Sequence, residues 1–213
     1  MIAGNNGALT QAIEAETARR AGQYALALIP DREARPETAA NAARIPLDWN
    51  PGSPISARTL ILAVENRLGH VDEAILVCDP PLARRAEKAG ISLAGIEALV
   101  NDQIKGWLFL VRELALAFRA RGEGTLALVY PEPGAAKDDA GDIAGQAAFA
   151  VFRSLVSSLL ASAAGEPYFV QGFSGGDAGD EAGFAAFIAK QLEDGGRRGS
   201  GKLHKYGKLG IFK

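Results

Sequence analysis

Cysteine is almost missing from this sequence: Cys78 is the only one in 213 residues. An internal disulfide is therefore excluded, and with only two histidines no Cys/His cluster has metal-ligand spacing, so no metal is expected. A chain without disulfides suits a reducing compartment, and the cytoplasm is the expected location. Long hydrophobic runs are missing too. No stretch reaches the roughly 18 uninterrupted apolar residues of a membrane span, and Met1-Ile2-Ala3-Gly4-Asn5-Asn6 lacks the basic start of a secretory signal. No membrane partner is expected. Nor does one sign of charge dominate. The 23 Lys and Arg against 25 Asp and Glu leave a net charge of -2, so the molecule as a whole has no pull toward nucleic acid.

What is present is an ordinary globular composition, 48% apolar and rich in glycine and alanine, in a chain of one-domain length. A single domain over 1–213 is expected. Short apolar runs at Tyr24–Ile29, Ala74–Cys78, Thr125–Tyr130 and Tyr168–Gly172 read as strands, with further candidates at Ala42–Leu47 and Gly207–Phe212. Unbroken apolar character, as in Ala74-Ile75-Leu76-Val77, marks strands covered on both faces. Helical stripes lie between them. Ser53-Pro54 supplies an N-cap and a first-turn proline ahead of Leu60, Ile61, Val64 and Leu68. Ile104, Trp107, Leu108, Val111, Leu114, Ala115 and Phe118 form a second stripe. Phe149, Phe152, Leu155, Val156, Leu159 and Leu160 form a third, and Glu181–Leu192 a fourth. Such alternation predicts an α/β fold, a Rossmann-like doubly wound parallel sheet in three α/β/α layers. Ser174–Glu181 and Gly195–Gly201 read as loops.

Several isolated polar residues have plain readings. His70 lies in a turn and His204 among lysines, both expected in solvent; Asp177 and Asp180 fit turn chemistry and lack the calcium-loop pattern. From Gly195 onward Arg197, Arg198, Lys202, Lys205, Lys208 and Lys213 stand without an acid, which leaves the rest of the chain at -8. That segment is either a solvated tail or a patch for an anion or an acidic partner.

Punctuation adds more. Gly4-Asn5-Asn6-Gly7-Ala8-Leu9-Thr10 precedes a helix to Ala21-Gly22, and Leu47-Asp48-Trp49-Asn50 follows a strand. Leu68-Gly69-His70-Val71-Asp72 leads into Ala74–Val77, and Gln103-Ile104-Lys105-Gly106 opens a long helix. In this order and spacing the segments resemble the short-chain dehydrogenase/reductase family over nearly the whole chain. The resemblance implies a phosphate loop at Gly4, Asn5, Asn6 and Gly7, an adenine-holding acid at Asp48, and Cys78 opening the stretch beside the nicotinamide ribose. Asp31 and Arg32 end the second strand, where an acid selects NAD and a base favours NADP. With both present the choice is open, and a solvated pair is an equal reading.

The departures from that family are substantial. Aligned on Gly4, its second and third glycines fall on Ala8 and Thr10, whose side chains crowd a bound dinucleotide. Cys78-Asp79-Pro80-Pro81 replaces Asn-Asn-Ala-Gly and places an acid near the expected nicotinamide ribose. The family's Tyr-x-x-x-Lys pair maps onto Phe149 and Arg153, its Ser falls near Tyr130-Pro131, and Gln103 replaces its Asn. A second alignment, with Gln146 and Ala150 at the Tyr and Lys positions, restores nothing. Phe149 has no proton to give, Pro131 no hydroxyl, and Arg153 lacks lysine's compact ammonium. Chain from Gln171 to Asp177 is also too short for a substrate lid.

The leading expectation is thus a catalytically degenerate relative acting as a binding or structural module and holding no dinucleotide. Competing readings are an NAD(P)-dependent oxidoreductase using Tyr130, Arg153, Gln103 or Lys105, and a nucleotide or anion sensor retaining Asp48. Helices 100–119 and 145–163 carry apolar residues on more than one face. Val111, Leu114 and Phe118 suit the sheet, while Leu110, Trp107 or Phe152 point elsewhere. A homo-dimer or homo-tetramer through these helices is expected, as in the family.

Overall fold

Strands and helices alternate along most of the described chain as the periodicity predicts, and the structure, a computed structural model, describes residues 1–29, 43–79, 92–132, 143–175 and 179–207. Seven strands form one sheet: β1 (Ile2–Gly4), β2 (Tyr24–Leu28), β3 (Arg44–Leu47), β4 (Glu73–Val77), β5 (Thr125–Pro131), β6 (Phe169–Gly175) and β7 (Lys202–Tyr206). Their order is β3-β2-β1-β4-β5-β6-β7 and every neighbouring pair is parallel. Helices are α1 (Ala8–Arg20), α2 (Pro54–Leu68), α3 (Leu93–Val100), α4 (Gly106–Arg121), α5 (Ile143–Ser162) and α6 (Glu181–Leu192).

Successive strand side chains point to opposite faces, so the sheet divides the core in two. Ala74, Leu76, Leu126 and Leu128 pack with Leu60, Val64, Leu110, Leu114 and Phe152 from α2, α4 and α5. Ile75, Val77, Ala127 and Val129 pack with Leu9, Ile13, Phe184 and Ile188 from α1 and α6. This is the three-layer Rossmann-like architecture. The helix ends follow their local chemistry. Ser53 Oγ accepts the Ser56 N–H at 3.3 Å, with Pro54 in the first turn, and Asp180 Oδ1 accepts the Gly183 N–H at 3.2 Å. Gly122, at φ 82°, closes α4 in the left-handed region. The N-cap of α1 is Gly7, which has no side chain to offer its free amides.

Three expectations change. The long helix expected over 100–119 begins earlier: α3 starts at a Ser92 cap, whose Oγ accepts the Gly95 N–H at 3.1 Å, and passes through a π-helical turn, Asn101–Lys105, into α4. The last strand is β7, at 202–206. Of the expected Gly207–Phe212 run only Gly207 is described, and it is not in a strand; the remainder lies outside the described residues. Residues 195–201, read as a loop, hold a short 3₁₀ turn at Arg197–Gly199, pinned by Gln171 Nε2 donating to the Gly196 carbonyl at 2.7 Å.

The helix faces also differ in detail. Leu110, Trp107 and Phe152 are all buried; the outward apolar residues are Leu108 and Leu116 on α4 and Val151 on α5. Helix 145–165 is long and apolar enough, by length and composition alone, to cross a membrane, and 22% of its most apolar 18-residue window is buried within the chain.

Candidate functional site

A doubly wound sheet opens a crevice where strand order reverses, here at the carboxyl ends of β1 and β4. Gly4, last in β1, sits so close to β4 and α1 that a Cβ there would lie 2.9 Å from the Val77 carbonyl oxygen and 3.0 Å from Thr10 Oγ1. Only glycine fits. Thr10 is buried in this contact, where the family pattern has a glycine, and Ala8 is exposed on the first turn.

Space beside Gly7 is taken by the chain itself. A Cβ on Gly7 would lie 3.2 Å from Asp79 Cγ and nearer still to Oδ2, and the Leu9 backbone N–H faces the same carboxylate closely enough to favour its charged form. Asp79, the residue after Cys78, therefore faces the start of α1 from across the crevice. Its backbone is tied in as well: Asn5 Nδ2 donates to the Asp79 carbonyl, and Gln103 Nε2, in the π turn, donates to Asn5 Oδ1 at 3.1 Å. Gln103 is buried, with Oε1 unpartnered among the described residues. Asn6 is exposed and accepts from Gln11 Nε2 at 3.3 Å. Burial pushes the Asp79 carboxyl above its ordinary pKa and the nearby Glu181 charge adds to this, while the Leu9 N–H opposes them. The acid expected near the nicotinamide ribose thus lies beside Gly7 at the start of α1, where the helix end favours its charge but burial and Glu181 outweigh that.

The half of the crevice next to β5 is aromatic. Tyr130 is buried, edge-on to Phe149 (centroids 5.6 Å apart) and Phe152 (6.4 Å). The Arg153 guanidinium lies over its ring at 6.0 Å, a cation against the π face. Trp107 continues the stack to Phe152 at 5.4 Å and to Trp49 at 5.7 Å. Neither indole N–H finds an acceptor among the described residues. Pro131 ends β5 opposite Gly175, and Ser174, opposite Tyr130 on β6, donates to Glu132 Oε1 at 3.2 Å. Tyr130, Phe149 and Arg153 are therefore brought together, with Pro131 next along the strand. Gln103 is held elsewhere, by Asn5. Gln146 and Ala150 are exposed on α5, and Lys105 donates to Asn101 Oδ1 at 3.0 Å.

Other expected positions are dispersed. Asp48 is exposed after β3. Cys78 is buried, and burial followed by the Asp79 charge pushes its thiol far up, so its side chain is not presented to a ligand. Asp31, Arg32 and Asp177 lie outside the described residues, as do Lys208 and Lys213. His70 is exposed, Nε2 3.0 Å from Asp72 Oδ1. His204, expected in solvent, instead stacks on Phe173 at 5.2 Å; burial lowers its pKa, opposed by the nearby Gly199 backbone. Asp180 accepts from the Tyr206 hydroxyl at 2.7 Å, a structural role. Arg197 lies over Phe169 at 5.8 Å and Arg198 3.7 Å from Asp194, so neither projects as an isolated cation.

No family model matches the sequence, and no curated protein matches it. Solved structures do. A short chain dehydrogenase from Mycobacterium smegmatis superposes with a TM-score of 0.71 at 12% identity, covering 98% of this chain and 92% of that one. An enoyl-[acyl-carrier-protein] reductase (NADH) from Aquifex aeolicus VF5 superposes with a TM-score of 0.70 at 16% identity, covering 96% and 93%. The chain has the fold of the short-chain dehydrogenases/reductases from end to end, as the order of its segments implied. Such a fold implies a dinucleotide with its diphosphate at the N-terminus of α1. The residues present do not fit that group: a carboxylate of the same sign fills the space beside Gly7 at the start of the helix.

Proposed function

We propose that this protein is a non-catalytic member of the short-chain dehydrogenase/reductase group, serving as a binding or structural module in a homo-oligomer. One observation carries the reading: the side chains gathered where the family handles its proton are Phe149, Pro131 and an Arg153 that lies on a ring face. General acid–base catalysis is worth about two to four orders of magnitude, and it needs a titratable group within hydrogen-bonding reach of the substrate oxygen. Phenylalanine and proline supply none. Among the described residues two hydroxyls lie nearby: the contacts described for Tyr130 are made by its ring, and Ser174 donates to Glu132 Oε1 at 3.2 Å. NADH and NADPH oxidation across a panel of aldehydes, ketones and enoyl thioesters tests this: background rates are expected, and sustained turnover would refute the reading.

Self-association is supported by Leu108, Leu116 and Val151, 46, 44 and 38% exposed on the outer side of α4 and α5. An apolar face of this kind gains by burial against a second copy of itself. Leu108→Asp with Leu116→Asp is expected to convert a dimer or tetramer to monomer in light scattering with the circular dichroism spectrum unchanged. A monomeric native chain would remove this part.

A further inference from the structure

We propose that Asp79 is an internal substitute for a phosphate, an anion built into the chain that occupies the seat at the start of α1 and bars external anions from it. Three features converge. Gly7 provides no cap, so the first-turn amides of α1 need an acceptor from elsewhere. The carboxylate that faces them comes from the far side of the strand-order reversal and lies against the bare Cα of Gly7, with the Leu9 N–H on the side that favours its charge. Its backbone is fixed by Asn5, itself fixed by Gln103, so the acid is held from β1 and from the π turn at once. Glu181, in the first turn of α6, adds a second negative charge close by.

A dianionic ligand entering this seat must displace the carboxylate and then lie beside it. Charge of the same sign at about 4 Å costs on the order of one to a few kcal/mol at effective protein dielectrics, a factor of about ten or more in affinity. Asp79 is thus the specificity-determining residue of the crevice, and the seat stays receptive once its charge is removed. This goes beyond the proposed lack of catalysis, because it concerns binding alone.

Calorimetric titration of the native chain, Asp79→Asn and Asp79→Ser with inorganic pyrophosphate, and separately with NADH, tests it. Serine retains a helix-capping oxygen and guards against loss of the fold. Both variants are expected to bind pyrophosphate at least about tenfold more tightly than the native chain, and Asp79→Glu to bind like it. Equal or weaker binding by both Asp79→Asn and Asp79→Ser overturns the proposal. A ligand-free cycle checks the contact itself. Gly7→Ala is expected to lower Tm by about 2–4 °C in the native chain and by less than half that in the Asp79→Ser background; equal losses overturn it. Carbonyl turnover by the native chain would sink the functional reading and leave the comparison of charge variants standing. Equal binding by all variants without turnover would do the reverse.

Discussion

The two halves of the crevice are closed by different physics. Beside β1 and α1 the closure is polar: one carboxylate, one amide of α1 and the Asn5–Gln103 pair. Beside β5 and α5 it is a stack of rings, Tyr130, Phe149, Phe152, Trp107 and Trp49, all but Phe149 buried. A polar closure rests on a charge that a single atom exchange removes. An aromatic closure rests on packing, where any deletion leaves a cavity. On the proposal made for Asp79, one side of this crevice opens on loss of a single charge, whereas the other opens only at the cost of a cavity.

The difference can be broken hardest at Trp107. Truncation to alanine, at a residue 1% exposed between Trp49 and Phe152, is expected to cost about 3–5 kcal/mol in urea unfolding. A loss under about 1 kcal/mol would show the ring stack to be loose. Asp79 gives a smaller effect with a definite sign. Its folded pKa lies above the unfolded value, so ionisation costs stability: nothing below about pH 4, and the full amount above the folded pKa. Relative to Asp79→Asn, the native chain should lose stability as pH rises from about 4 toward neutrality; a gap that narrows instead contradicts the burial of this acid. The smallest effect is expected at Tyr130. Phenylalanine there keeps the ring contacts to Phe149, Phe152 and Arg153, and the urea midpoint should shift by no more than about 0.5 kcal/mol equivalent.

How legible these features were in the sequence depends on the range of the interaction behind them. β4 and β5 are covered on both faces, so Ala74–Val77 and Thr125–Tyr130 read directly as apolar runs, and Ser53-Pro54 announces α2 through chemistry confined to one turn. β7 escaped because it is an edge strand: Lys202, Leu203 and Lys205 are exposed, so no apolar run exists to be seen. The π turn is a change of hydrogen-bond partner that leaves no mark in composition. At the site, Phe149, Pro131 and Arg153 were readable as departures one by one. Gln103 was found for its place in a pattern, but its partner is Asn5, 98 residues away. Asp79 was visible as an intrusive acid, and only its contact with Gly7 reveals which amides it serves. A residue without a side chain at the N-cap was the one available hint.

The composition of α5 bears on how the chain reaches this fold. Within residues 145–165 an 18-residue window has a mean hydropathy of 1.6, and the inner side of this helix docks on strands that include β6, which follows in the sequence. Until β6 pairs with β5, this rod has no finished surface to lie on. During synthesis it must therefore wait, with an apolar flank in water, for residues 169–175 to emerge. Burial between two protein copies would later hide what remains uncovered, so assembly would complete for this helix a sheltering that its own sheet only begins.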